Sequence, residues 1–403
     1  MLPNRTQLIK LSALSAIYLI WGAIASLNDV LIPYLKNEFE LTFSQAMRVQ
    51  LVFYAAYFFL SIPCGLVVRR FGYRSGILAG LFAAIGGCVL VVAGSYAGSY
   101  GFILCAIFVL ASGITMLQVS ANPYATTLGK EKTAPSRLTL VQSFHSLGTT
   151  IGPFFGAVLI FSTTLAVINN ALLIPYTLLA VLLACIALLF AKLESESPAT
   201  RKPSGGFKVL ELIRTNPRLL LGALGIFFYV GAEISIGSFL VNYLGQQNIA
   251  ALNPGTAGKF VAVYWGCALV GRFAGSALLR FIDPRRLLVI YAIVAMGLVS
   301  TSIGSQGWLA MWSILLVGFF NSIMFPTIFA LTIGEVRHEA QSASGVLCLG
   351  IVGGAVISQL QGILADRIGI QLSFILPALC YIYIAIYALT ALGGKSRSVR
   401  LAG

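Results

Sequence analysis

Charge is scarce in this chain. Of its 403 residues only 9% are Asp, Glu, Lys or Arg, the acidic residues number 12 and there are two histidines. Soluble domains carry about 25% charged residues, so a soluble globular fold is excluded. With only His145 and His338, a histidine-based metal centre is excluded as well. The seven cysteines, at positions 64, 88, 105, 185, 267, 348 and 380, contain no C-x-x-C pair and fall within apolar runs. They read as small core hydrophobes, not as a disulfide framework. No nucleophile–base pair or phosphate-binding loop occurs at a usable spacing, so neither an enzyme nor a bound cofactor is expected.

Apolar residues are what the chain has: 58% of it is hydrophobic, with a mean hydropathy of +0.93. A bilayer-spanning helix needs about 20 mainly apolar residues. Stretches of that kind cover roughly 10–35, 44–68, 75–95, 98–124, 137–161, 171–191, 218–244, 257–280, 285–304, 307–333, 340–364 and 370–393. The first continues directly into Asn28-Asp29 and an exit at Pro33, with no small-residue cleavage site, so it is expected to be a retained helix.

The net charge of +14 raises the question of nucleic acid, but its distribution answers it. With the N-terminus cytoplasmic, every Lys and Arg except Lys36, Arg48, Lys259 and Arg367 falls on the cytoplasmic side. That asymmetry places both termini inside and excludes a nucleic-acid partner. The lipid bilayer is the expected environment, a bacterial inner membrane the expected location and a monomer the expected functional unit.

The longest polar interruption, Lys192–Pro217, divides the chain into a six-helix half over 1–191, a cytoplasmic linker over 192–217 and a second six-helix half over 218–403. The halves echo one another. Asn122-Pro123-Tyr124 ends the fourth span, and Phe325-Pro326-Thr327 lies in the tenth. Gly65-Leu-Val-Val-Arg-Arg70-Phe-Gly72-Tyr-Arg74 follows the second span, and Gly275-Ser-Ala-Leu-Leu-Arg280-Phe-Ile-Asp283-Pro-Arg-Arg286 follows the eighth. Two repeated six-helix halves point to a transporter whose site lies near the midplane. The loop after the second span resembles the G-x-x-x-D-R-x-G-R-R signature of the major facilitator superfamily, although Arg69 stands where that family has the acid and Tyr73 replaces the first of the final basic pair. The resemblance implies an all-α integral membrane fold of two pseudo-symmetric bundles.

Two carboxylates sit deep in apolar spans, Asp29 and Glu233. A charge at that depth costs roughly 2.5 to 3.5 kcal/mol on insertion scales and must face protein or water. Asp29 has no basic residue at comparable depth and reads as a proton or cation carrier. Glu233 reads equally as a second carrier or as the partner of an arginine such as Arg272. Polar stripes at helical spacing supply the candidate ligands: Gln118 and Asn122 four apart, then Gln142, His145 and Thr149, then Gln50, Tyr54 and Tyr57. Pro123 also frees a backbone carbonyl one turn earlier. Asn28 precedes Asp29, and the second half adds Asn242, Tyr264, Trp265, Asn321, Gln359 and Gln361. Amides both donate and accept, as a polyhydroxylated ligand requires, and aromatic rings stack on the apolar face of a sugar.

The runs Ser26-Leu-Asn-Asp-Val-Leu-Ile-Pro33, Ala111-Ser-Gly-Ile-Thr-Met-Leu-Gln-Val-Ser-Ala-Asn-Pro-Tyr124, Ser136-Arg-Leu-Thr-Leu-Val-Gln-Ser-Phe-His-Ser-Leu-Gly148 and Val230-Gly-Ala-Glu-Ile-Ser-Ile-Gly-Ser-Phe-Leu-Val-Asn-Tyr243 resemble the fucose–galactose–glucose:proton symporters, and within them the glucose/galactose branch. The resemblance implies uptake of a hexose coupled to a proton, with sodium the alternative ion. In the fucose symporter an acid on the first helix and a glutamate on the fourth are implicated in coupling and sugar recognition. Asp29 matches the first, and Gln118 occupies the place of the second, as glutamine does in the glucose/galactose branch. The symporter's glutamine and asparagine on helix 5 fall on Gln142 and His145. Gly148-Thr-Thr-Ile-Gly152-Pro153-Phe-Phe-Gly156 resembles instead the G-x-x-x-G-P-x-x-G-G motif of drug:proton antiporters, which keeps an exporter of amphipathic compounds as the rival reading. The plainer account of that motif is close packing of small residues. A sensor built on a transporter fold is the third reading.

Overall fold

The computed structural model describes residues 5–41, 45, 48–161, 170–192, 209–336 and 339–400, and within these helices the side chains at 5–6, 28–30, 32–33, 36–37, 153–161, 209–210, 254–255, 258 and 392–400 lie outside the description. Most of the expected linker, 193–208, also lies outside it.

Ten stretches among the described residues are long and apolar enough to cross a membrane. One of them, Arg48–Tyr96, is two helices: Gly72 at φ 83°, ψ 169° breaks it, a conformation that only glycine adopts without strain. The expected loop after the second span is therefore a one-residue kink. With α1 as Arg5–Glu38, the kink separates α2 (48–71) from α3 (73–96). Then follow α4 (Tyr100–Thr127), α5 (Ala134–Phe161), α6 (Leu173–Lys192), α7 (Pro217–Leu244), α8 (Pro254–Leu278), α9 (Pro284–Gly304), α10 (Gly307–Glu335), α11 (Ala340–Ile368) and α12 (Ile370–Ala391). A short helix over Val209–Thr215, not anticipated, precedes α7.

Local chemistry sets the boundaries. Proline opens α7, α8 and α9, where its missing N–H has no intrahelical partner to lose. Ser99, Asn253 and Asp283 cap the first turns of α4, α8 and α9 by accepting from Phe102, Thr256 and Arg285 backbone N–H groups. Two helices are interrupted midway. α10 breaks between Asn321 and Met324, and α11 passes through a 3₁₀ turn at Gly350–Val352.

The chain forms two compact units. One comprises Met1–Gly129, Phe144–Thr215 and Arg337–Leu349; the other comprises Lys130–Ser143, Asn216–Val336 and Gly350–Gly403. They follow the sequence halves except at the starts of α5 and α11. In the second unit the start of α5 is tied to α8 by reciprocal bonds, Ser136 Oγ donating to the Ser276 carbonyl at 2.7 Å and Ser276 Oγ to the Ser136 carbonyl at 2.9 Å. In the first unit α2 and α11 cross glycine on glycine: a methyl on Gly65 would lie 3.3 Å from the Gly345 Cα. Nearby Arg69, standing at the family's acidic position, lies 3.9 Å from Glu339.

Pairs of helices within each unit touch backbone to backbone. A methyl on Gly22 would sit 2.1 Å from the His145 carbonyl oxygen, and one on Gly148 would sit 2.0 Å from that of Leu19. In the second unit methyls on Gly350 and Gly353 would meet the Ala223 and Phe227 carbonyls at 2.4 and 2.0 Å. So α1 packs on α5 as α7 packs on α11, the same pairing in each half. Small residues permit such approach, and dispersion with weak C–H···O contacts holds it together where lipid supplies no hydrophobic drive.

Candidate functional site

In the first unit α1, α2, α4 and α5 bring an aromatic and amide cluster together. Tyr18 is wholly buried, with its ring centroid 5.1 Å from that of Trp21. Trp21 meets the half-buried His145 ring edge-on at 4.9 Å, and its indole reaches the Tyr57 hydroxyl. The Tyr18 hydroxyl donates to Asn122 Oδ1. Asn122 has 0% exposure, and its Nδ2 makes no hydrogen bond of ordinary geometry although the Cys348 thiol lies beside it. A buried amide N–H without a well-placed acceptor is costly. Gln118, one turn earlier on α4, is also buried.

The carbonyl freed by Pro123 is that of Val119, and Ser344 Oγ on α11 donates to it at 2.7 Å. The expected gap in the helix ladder is thus filled from outside.

The second unit holds a denser polar network around Glu233. Tyr229 donates to Glu233 Oε1 at 2.7 Å, and Arg272 Nη2 stands 3.6 Å from the same oxygen. Tyr264 donates to the Glu233 carbonyl at 3.3 Å, Asn321 Nδ2 donates to the Tyr264 hydroxyl at 2.9 Å, and Tyr381 donates to Asn321 Oδ1 at 2.6 Å. Glu233 therefore occupies the arginine-paired arrangement, one of the two anticipated for it. Tyr264 and Asn321, expected to line a cavity, have 0% exposure and are committed to each other and to the backbone.

The remaining candidates divide. Asn28 and Asp29 lie in the helical backbone of α1, with side chains outside the described ones. Gln142 is buried on α5, and its backbone carbonyl accepts from Arg272 Nη1 at 3.4 Å. Gln50 and Tyr54 are half-buried on α2. Trp265 is half-buried, edge-on to Tyr264 at 5.2 Å. Asn242 and Gln359 are exposed and join neither cluster; the buried glutamine on α11 is Gln361, which donates to Ser373 at 3.3 Å. The residues that sequence reasoning passed over are Tyr18 and Trp21. Their spacing was the available signal, since Tyr18 stands eleven residues, about three turns, before Asp29.

Gly148 and Gly152, the core of the exporter-like motif, both face α1: a methyl on Gly152 would sit 2.2 Å from Ser26 Oγ. Helix packing accounts for that motif.

Residues 14–358 match the sequence profile of the Major Facilitator Superfamily. The chain belongs to the major facilitator superfamily. It is accordingly a multi-pass membrane protein. A glucose/galactose transporter of Brucella abortus is 48% identical over 96% of this chain and 94% of its own. A putative glucose/galactose transporter of Helicobacter pylori is 41% identical over 96% of this chain and 98% of its own. The L-fucose-proton symporter of Escherichia coli is 29% identical over 96% of this chain and 93% of its own. The crystal structure of the fucose transporter FucP in the outward conformation matches with a TM-score of 0.86 at 28% identity, covering 96% of this chain and 99% of that one.

Proposed function

We propose that this major facilitator is a cation-coupled hexose importer of a bacterial inner membrane, acting as a monomer with both termini cytoplasmic and its two six-helix halves, 1–191 and 218–403, as the moving bodies. The observation that carries the reading is the 48% identity, along nearly the whole chain, to a glucose/galactose transporter. The first unit supplies chemistry that suits it: the buried Asn122 and Gln118 amides and the Trp21–His145 ring pair. Donors and acceptors beside an aromatic face match a pyranose, whose hydroxyls ring an apolar plane.

In this mechanism Asp29 takes a proton from outside, the hexose binds the amides of α4 and α5, and only the doubly loaded or empty forms reorient. Coupling requires that singly loaded forms reorient poorly, which is a difference in stability between two states. Glu233, already engaged by Arg272 and Tyr229, takes no part in proton loading on this reading. Reconstituted in liposomes, the protein should accumulate labelled glucose or galactose under a proton gradient in sodium-free buffer, and a proton ionophore should abolish it. Asp29→Asn should lose accumulation while keeping sugar exchange; gradient-driven accumulation by that variant would overturn the assignment. Uptake that needs sodium would transfer the role to that ion.

A further inference from the structure

We propose that Arg272 is a positioning residue for the Gln142 segment of α5, with Glu233 as its counter-charge. The role in sugar recognition rests on the hexose reading; the anchoring of α5 does not.

One guanidinium reaches three helices. Arg272 is 8% exposed, with Nη2 3.6 Å from Glu233 Oε1 on α7, Nε donating to the Ser322 carbonyl on α10 at 3.3 Å and Nη1 donating to the Gln142 carbonyl on α5 at 3.4 Å. Each contact has a reason. Ser322 lies four residues before Pro326, whose ring nitrogen carries no hydrogen, so the carbonyl has no intrahelical donor. Glu233 balances a charge that burial alone would make prohibitive. Only the planar fork of arginine serves all three directions at once; an ammonium on the same stem does not. The carbonyl of Gln142 belongs to the residue whose amide side chain is proposed to meet the sugar, so fixing that turn of α5 fixes the amide.

The inference has two readouts on the full-length protein in detergent micelles. Without sugar, amide hydrogen exchange in peptides spanning 138–147 should quicken about tenfold in Arg272→Lys, the loss expected for one charged hydrogen bond, while peptides of α3 and α4 stay as in the wild type. Glu233→Gln should move the same peptides in the same direction by less. With glucose or galactose, Arg272→Lys should raise Kd about tenfold, and that effect should vanish in a Gln142→Ala background because both changes act through one group. Unchanged exchange at 138–147 in both variants overturns the anchoring role. Losses that add fully in the double variant overturn the action through Gln142. A wild-type protein that binds no hexose defeats the hexose reading, and the exchange readout then decides the anchoring alone. Should Arg272→Lys fail to fold, Glu233→Gln carries the same measurement.

Discussion

Ser344 Oγ donates to the Val119 carbonyl oxygen, and Val119 is the residue whose helix partner Pro123 has eliminated. The same device recurs in the second unit, where Arg272 serves the Ser322 carbonyl left open by Pro326. A proline in a membrane helix is tolerated when a neighbour supplies the missing donor. Ser344→Ala should therefore cost about 1–3 kcal/mol, the penalty of a buried acceptor without a donor. Combined with Pro123→Ala, which restores a backbone N–H, most of that loss should disappear. Unfolding in micelles measures the cycle, and strict additivity would show that the serine acts elsewhere.

Glycine contacts yield a paired test. Gly148→Ala forces a methyl to 2.0 Å from the Leu19 carbonyl oxygen, whereas at Gly86 on α3 nothing lies within 4 Å. Gly148→Ala should sharply lower the melting temperature and the yield of membrane-inserted protein. Gly86→Ala should stabilise by about 0.5–1 kcal/mol, the usual helix gain of alanine over glycine. Equal effects at the two sites would discredit the packing described for α1 and α5.

Two ion pairs should behave oppositely. Arg218 and Glu335 stand 2.5 Å apart with 48% and 26% of their side chains exposed, so Arg218→Ala should cost no more than about 1 kcal/mol. Arg272→Met strands Glu233 in the interior and should cost about 3–5 kcal/mol, much of it recovered by adding Glu233→Leu. Denaturant titration of the three variants beside the wild type checks the ordering.

Tyr18→Phe removes the donor to Asn122 Oδ1 and leaves that amide with both ends unmet. A stability loss of about 1–3 kcal/mol is expected, together with weaker hexose binding as the amide turns to find new partners. Binding by titration calorimetry at unchanged affinity would separate Asn122 from the ligand.

The helix inventory was legible because hydropathy alone decides it in lipid, and the proline in α4 announces a free carbonyl by its chemistry, wherever the helix packs. Which group takes that carbonyl was not legible, since Ser344 lies 225 residues away and its register against α4 depends on how two glycines meet at 65 and 345. The kink at Gly72 looked like a loop because a polar stretch at a membrane surface permits either, and a single positive φ is enough to turn the chain. Gln359 and Gln361 pose the same difficulty in miniature. Two residues apart on a helix they face nearly opposite ways, and only the neighbours decide which is buried. Tyr18 and Trp21 were hidden among apolar residues, where an aromatic reads as packing until a partner such as Asn122 gives its hydroxyl a task.

The touching backbones of α1 with α5 and of α7 with α11 also bear on heredity. Any base change that replaces a glycine with another residue adds at least one carbon, and at Gly22, Gly148, Gly350 and Gly353 that carbon strikes a carbonyl oxygen. Drift has no gradual path through these positions. The polar side chains carried by these helix pairs have room to change that the pairs themselves lack.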